Sequence, residues 1–190
     1  MIYIKDNFLD EDFFNSINEH LDSNEFAKTD VGDTYFYTQE SIEDLNEYLI
    51  LKLQRIEQRK LSNILAFFRV STDKLDTSWR IHSDLNVNGE KPDRALVLYL
   101  SPKKRTDLHG TAFWEHNLYG KQLPLDITND QYDSTITLDS NNLDKWSLTS
   151  VIGYEPNRMV SYPANYFHSK FPNEGWEDGR KVFVMFYKFK

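Results

Sequence analysis

The chain of 190 residues contains no cysteine. This one absence removes disulfide frameworks, thiolate zinc sites, iron–sulfur ligation and cysteine nucleophiles. It fits a reducing compartment, and the cytoplasm is the expected location. The opening Met1-Ile2-Tyr3-Ile4-Lys5-Asp6 lacks a signal-peptide pattern, and no apolar run is long enough to span a bilayer, so no membrane partner is expected. Internal repeats, linkers and low-complexity tracts are also missing. Positive charge is in deficit: 22 Lys and Arg against 30 Asp and Glu leave a formal charge of −8. Non-specific binding to nucleic acid is therefore not expected, and the balance leans toward a neutral or basic substrate.

What is abundant is aromatic: Phe, Trp and Tyr make up 15% of the chain. That favours a packed, β-rich core. The length suits a single domain over 1–190. Ile2 to Ile4 read as a strand. Asp10 with Glu11 and Asp12 suits a helix start, and Phe13, Phe14, Ile17 and Leu21 follow at helical spacing. Ser41 and Asp44 resemble a capping box. Ile42, Leu45, Leu49, Leu53 and Ile56 then form one stripe, which predicts an amphipathic helix over 41–59 packed on a sheet.

After residue 60 the pattern changes. Strands are predicted near 64–70, 79–84, 94–101, 111–114, 151–154, 158–162 and 181–187, with Asn86 to Pro92 as a turn. Short strands without alternating helices predict a mainly β protein with N-terminal helices, its core over 62–190 a sandwich or barrel. The stretch 121–147 is polar and aperiodic, either a disordered excursion or a lid.

Trp79-Arg80-Ile81-His82-Ser83-Asp84 carries the chemistry. On an extended segment, side chains at i and i+2 leave one face. His82 and Asp84 thus supply two thirds of a two-His-one-carboxylate site for non-heme Fe(II). Of the other histidines, His20 is expected on the surface, and His109 and His116 read as structural or solvated. His168 differs, because it follows a strand and a Pro163-containing turn. Arg180 then stands at the mouth of the apolar strand Lys181 to Tyr187. A buried guanidinium there is costly unless it meets an anion, and a carboxylate is its bidentate match.

This ordered set resembles the prolyl 4-hydroxylase-like group of Fe(II)- and 2-oxoglutarate-dependent dioxygenases. The resemblance spans most of the chain outside the polar stretch. It rests on His82-x-Asp84, the strand containing Tyr99, Gly110, Pro163, His168 and Gly179-Arg180. It implies a double-stranded β-helix (jelly-roll, cupin-like) core. It also implies Fe(II) on His82, Asp84 and His168, with 2-oxoglutarate and O2 as co-substrates and ascorbate as an optional reductant. Arg180 would hold the C5 carboxylate, assisted by Tyr99. Two departures stand out: Thr111 replaces the second glycine of the family's Gly-Gly pair, and Arg180 lies a little further from His168 than is usual, with the adjacent Lys181 a rival clamp. Arg69, Trp79 and Trp114 are candidate substrate residues, since each sits beside a motif strand, and Asn86 is a turn residue or a rim residue. The implied reaction is hydroxylation of a prolyl or other peptidyl residue. A free amino acid or other small molecule is the alternative substrate, a nucleobase a minor one, and a non-catalytic cupin-like module the alternative of another class.

Overall fold

Among the described residues, ten strands and two long helices make up the framework. The computed structural model describes residues 1–31, 34–75, 79–102, 109–174, 176–177 and 179–190. β1 (Tyr3–Lys5) leads to α1 (Glu11–Ser23), β2 (Ala27–Val31), β3 (Thr34–Glu40) and α2 (Glu43–Glu57). Then come β4 (Leu61–Ser71), β5 (Arg94–Tyr99), β6 (Gly110–His116), β7 (Trp146–Gly153), β8 (Met159–Pro163), β9 (His168–Phe171) and β10 (Arg180–Phe189). The strands form two antiparallel sheets, one ordered β1-β8-β5-β10-β4-β3-β2 and the other β7-β6-β9. Together they make the jelly-roll core.

β5 shows why the layers stack as they do. All six of its residues are buried. Leu96, Leu98 and Leu100 join a cluster with Ile17, Leu21, Leu45, Leu49 and Leu53 of the helices. Ala95, Val97 and Tyr99 face the other way, into a cluster between the sheets with Phe113, Tyr162 and Val182. An apolar run without polar alternation is what a strand covered on both faces requires. The helix stripe contributes about 1.5–3 kcal/mol for each of Leu45, Leu49 and Leu53.

Several expectations need correction. α2 spans 43–57 rather than 41–59, and Ile56 of the predicted stripe is exposed. Ser41 caps nothing, because its hydroxyl accepts from Asn46 Nδ2 and the N-cap residue is Ile42. Residues 79–84 form no strand. Their backbone is pinned instead at isolated points, with His82 bridged to His168.

The polar stretch 121–147 is built on an apolar footing. Leu123, Ile136 and Trp146 are buried in a third cluster with Ala112, Trp114 and Phe167 on the outer face of the small sheet. It carries a π-helical turn over Tyr132–Thr137. His116 of β6 fastens it: Nδ1 accepts from Leu118 N, which leaves Nε2 to donate to Asp139 Oδ2 at 3.1 Å. Among the described residues no helix is long and apolar enough to cross a membrane.

Candidate metal centre

His82 and His168 are locked together through the main chain. His82 N donates to His168 O at 3.1 Å, and His168 N donates to His82 O at 2.9 Å. Asp84 N donates to Ala164 O at 2.8 Å. These bonds hold 82–84 extended against 164–168, so the i, i+2 relation of His82 and Asp84 survives without a sheet. The imidazole centroids lie 4.4 Å apart. Asp84 sits between them, with Oδ1 3.7 Å from His82 Nε2 and Oδ2 3.2 Å from His168 Nε2.

Each imidazole is oriented by its own chain. His82 Nδ1 is 3.2 Å from Arg80 O, and His168 Nδ1 is 3.0 Å from Tyr166 O. A carbonyl only accepts, so both Nδ1 atoms carry a proton and both Nε2 atoms turn toward Asp84. Burial, with the neighbouring His168 charge, lowers the His82 pKa to about 3 and keeps it neutral. Burial works against ionisation of Asp84. The charge and hydrogen bond of His168, then the charges of His82 and Arg69, outweigh it and hold the carboxyl below its ordinary range. Two imidazoles and one carboxylate, their ligand atoms all within 4.8 Å of one another, are a donor set that a divalent cation satisfies.

The three groups open into a cavity of about 1060 Å³. Arg180 stands in its wall at 6% exposure. Among the described residues its Nε has no hydrogen-bond partner, and its Nη2 makes a 3.5 Å contact with Thr111 Oγ1. Its guanidinium faces the rings of Tyr99 and Trp176 at 5.6 and 5.8 Å. Among the described residues no carboxylate pairs with it. Lys181 points the other way and pairs with Asp22 of α1.

The remaining sequence candidates divide. Arg69 and Trp79 line the cavity, and Asn86 lines it while its Oδ1 accepts from Gly89 N as a turn residue does. Trp114 does not reach the cavity. It lies on the face of β6 opposite Thr111, packs in the third cluster, and donates Nε1–H to Ser169 Oγ at 3.0 Å. Tyr99 is fully buried behind the wall, its hydroxyl 2.8 Å from Thr111 Oγ1 and 3.2 Å from Ile152 O. Thr111 lines the cavity beside Arg180, and the Tyr99 ring lies on the guanidinium's buried side. The sequence reading also passed over Phe36 and Thr38 of β3, Tyr162 of β8, and Thr128, Tyr132 and Thr137 of the polar stretch, all of which line the cavity. The only signal for them was position, two of the groups lying in segments with no apolar period.

With this geometry in place, the fold is similar to that of several solved proteins that bind or depend on 2-oxoglutarate. HygX from Streptomyces hygroscopicus, solved with nickel, 2-oxoglutarate and hygromycin B bound, is similar with a TM-score of 0.62 at 12% identity. That match covers 100% of this chain and 83% of HygX. The α-ketoglutarate-dependent carbocyclase SnoK from nogalamycin biosynthesis matches with a TM-score of 0.65 at 11% identity, over 98% of this chain and 78% of its own. A Pseudomonas putida prolyl-4-hydroxylase matches with a TM-score of 0.55 at 10% identity, over 100% of this chain and 92% of its own. At these identities the likeness is one of fold. No family model matches the chain, and no curated protein matches it in sequence.

Proposed function

We propose that the chain, acting as one domain, is an Fe(II)- and 2-oxoglutarate-dependent dioxygenase of the prolyl 4-hydroxylase-like group. Its substrate is a C–H bond of a peptidyl residue, prolyl foremost. The observation that carries this reading is the convergence of His82, Asp84 and His168 in one cavity with an unspent guanidinium, Arg180. His82, Asp84 and His168 would hold Fe(II), and Arg180 the distal carboxylate of 2-oxoglutarate. Fe(II) with 2-oxoglutarate and O2 supplies an oxidative decarboxylation that yields succinate, CO2 and a hydroxylated product, one oxygen atom going to each of succinate and product.

The chain's own residues do the rest. The Arg80 and Tyr166 carbonyls fix both imidazoles, so metal binding needs no ring rotation. The Tyr99 and Trp176 rings flank the Arg180 guanidinium, and its burial at 6% exposure strengthens its grip on a carboxylate. Thr111 Oγ1 offers a hydroxyl alongside.

A small-molecule substrate is the second reading. The cavity volume lies near the top of the range for small-molecule sites, roughly 300–1000 Å³, and the polar stretch closes one side of it. HygX, with hygromycin B bound, shares the fold. The test is succinate release with Fe(II), ascorbate and 2-oxoglutarate, with proline-containing peptides and a small-molecule panel as stimulants. Turnover that disappears in His82→Ala and Asp84→Ala is expected. Wild-type protein that binds no divalent metal and releases no succinate would return the chain to the non-catalytic reading.

A further inference from the structure

We propose that the primary substrate carries a carboxylate or phosphate group and that Arg69 binds it. This rests on the oxygenase reading above and adds the chemistry of what is oxidised. Tyr99, Val182, Arg69 and Thr38 are direct cross-strand partners across β5, β10, β4 and β3. Such partners project to the same face of a sheet. Tyr99 and Val182 lie in the cluster between the sheets, so Arg69 also projects inward, and it lines the cavity. Arg180 is two residues before Val182 on the same face of β10 and pairs with Ser71, two residues beyond Arg69 on β4. The cavity wall thus presents two guanidiniums on adjacent strands. One serves the co-substrate. The other lies on β4, on the β3 side of the cavity, where its charge acts on Asp84.

Arg69 is also shaped for an anion. Its guanidinium lies over the Phe36 ring at 3.9 Å. A stacked guanidinium keeps its N–H groups in plane at the edge, in the fork that matches carboxylate or phosphate oxygens. The surrounding charge agrees. With Arg180 assigned to the co-substrate and Asp84 to the metal, Arg69, Arg80, Lys91 and Lys170 line the cavity against Asp30 and Asp133. The chain as a whole has the opposite imbalance, 22 basic to 30 acidic residues. The local field reverses the net charge, and with it the lean toward a neutral or basic substrate that net charge alone suggests.

The test uses the protein loaded with Mn(II) and saturating 2-oxoglutarate, so that Arg180 is occupied. Methyl proton relaxation of acetate, methylphosphonate and neutral acetamide is measured by NMR at fixed ionic strength. Binding beside the paramagnetic ion speeds relaxation. Acetate or methylphosphonate should be enhanced at least fivefold over acetamide, and the better of the two identifies the group. Arg69→Gln should abolish the difference, and Arg69→Lys should keep part of it, with 2-oxoglutarate affinity unchanged in both. Equal relaxation of all three probes, or an enhancement that persists in Arg69→Gln, overturns the assignment. Failure of the wild-type protein to bind Mn(II) and 2-oxoglutarate strikes the oxygenase reading instead and is seen before any probe is added. If Arg69→Gln does not fold, Phe36→Ala, which removes the stacking partner but keeps the charge, should weaken the anion effect severalfold.

Discussion

Arg94 and Arg180 both open a core strand, and both are 6% exposed, yet their surroundings are opposites. Arg94 is fully engaged. Its Nε pairs with Glu57 Oε1 at 2.9 Å and donates to Ser161 Oγ and Tyr187 Oη, while Nη2 donates to the carbonyls of Ser161 and Met1. That network ties the N-terminus, α2, β5, β8 and β10 together. Arg180 has a long contact to Thr111 and an orphaned Nε. Of two equally buried guanidiniums, the fold satisfies one and leaves the other with donor capacity to spare.

The contrast breaks hardest at Arg94. Arg94→Met leaves the Glu57 carboxylate buried without its partner and should cost about 3–5 kcal/mol of stability, read by urea or thermal unfolding. Arg180→Met should do the reverse. Stability should hold or rise, while 2-oxoglutarate affinity of the Mn(II)-loaded protein falls by about 2–4 kcal/mol, roughly 30- to 1000-fold. Calorimetric titration checks this, and an Arg180→Met protein that binds 2-oxoglutarate normally would sink the clamp. Thr111→Val and Tyr99→Phe sharpen the picture. Losing the Thr111 hydroxyl should cost about 1 kcal/mol of 2-oxoglutarate binding, roughly fivefold. Losing the Tyr99 hydroxyl should cost about 1 kcal/mol of folding stability instead, with affinity changed by less than about twofold. The smallest effect belongs to Lys181→Ala, which removes a half-exposed pair with Asp22. It should shift stability by less than about 1 kcal/mol and leave 2-oxoglutarate titrations unchanged.

The sequence was most legible where burial imposes a period. Leu45, Leu49 and Leu53 announce α2, and the unbroken apolar run of β5 announces a strand covered on both faces. It was least legible where contacts far apart in sequence decide the outcome. Residues 79–84 look like a strand, but their main-chain partners lie at 164–168 and pair at only a few points. Trp114 follows a motif glycine, yet alternation along β6 sends it away from the cavity that Thr111 faces. β2 and β3 carry charged and hydroxyl residues on a partly wetted hairpin and give no clear stripe. In 121–147, Leu123, Ile136 and Trp146 lie too far apart to show a period, although folding gathers them into one cluster. Of the centre itself, the His82–Asp84 spacing was readable in the chain. Its convergence with His168 and the interposed Thr111 were matters of three-dimensional register.

The apolar footing of 121–147 has a practical consequence. Leu123, Ile136 and Trp146 anchor the segment from below, and His116 rivets it to the small sheet, so Thr128, Tyr132 and Thr137 ride on a platform that supports itself. Recombining those upper positions in a library should then vary the cavity lining while the barrel and the His82, Asp84 and His168 cluster stay undisturbed.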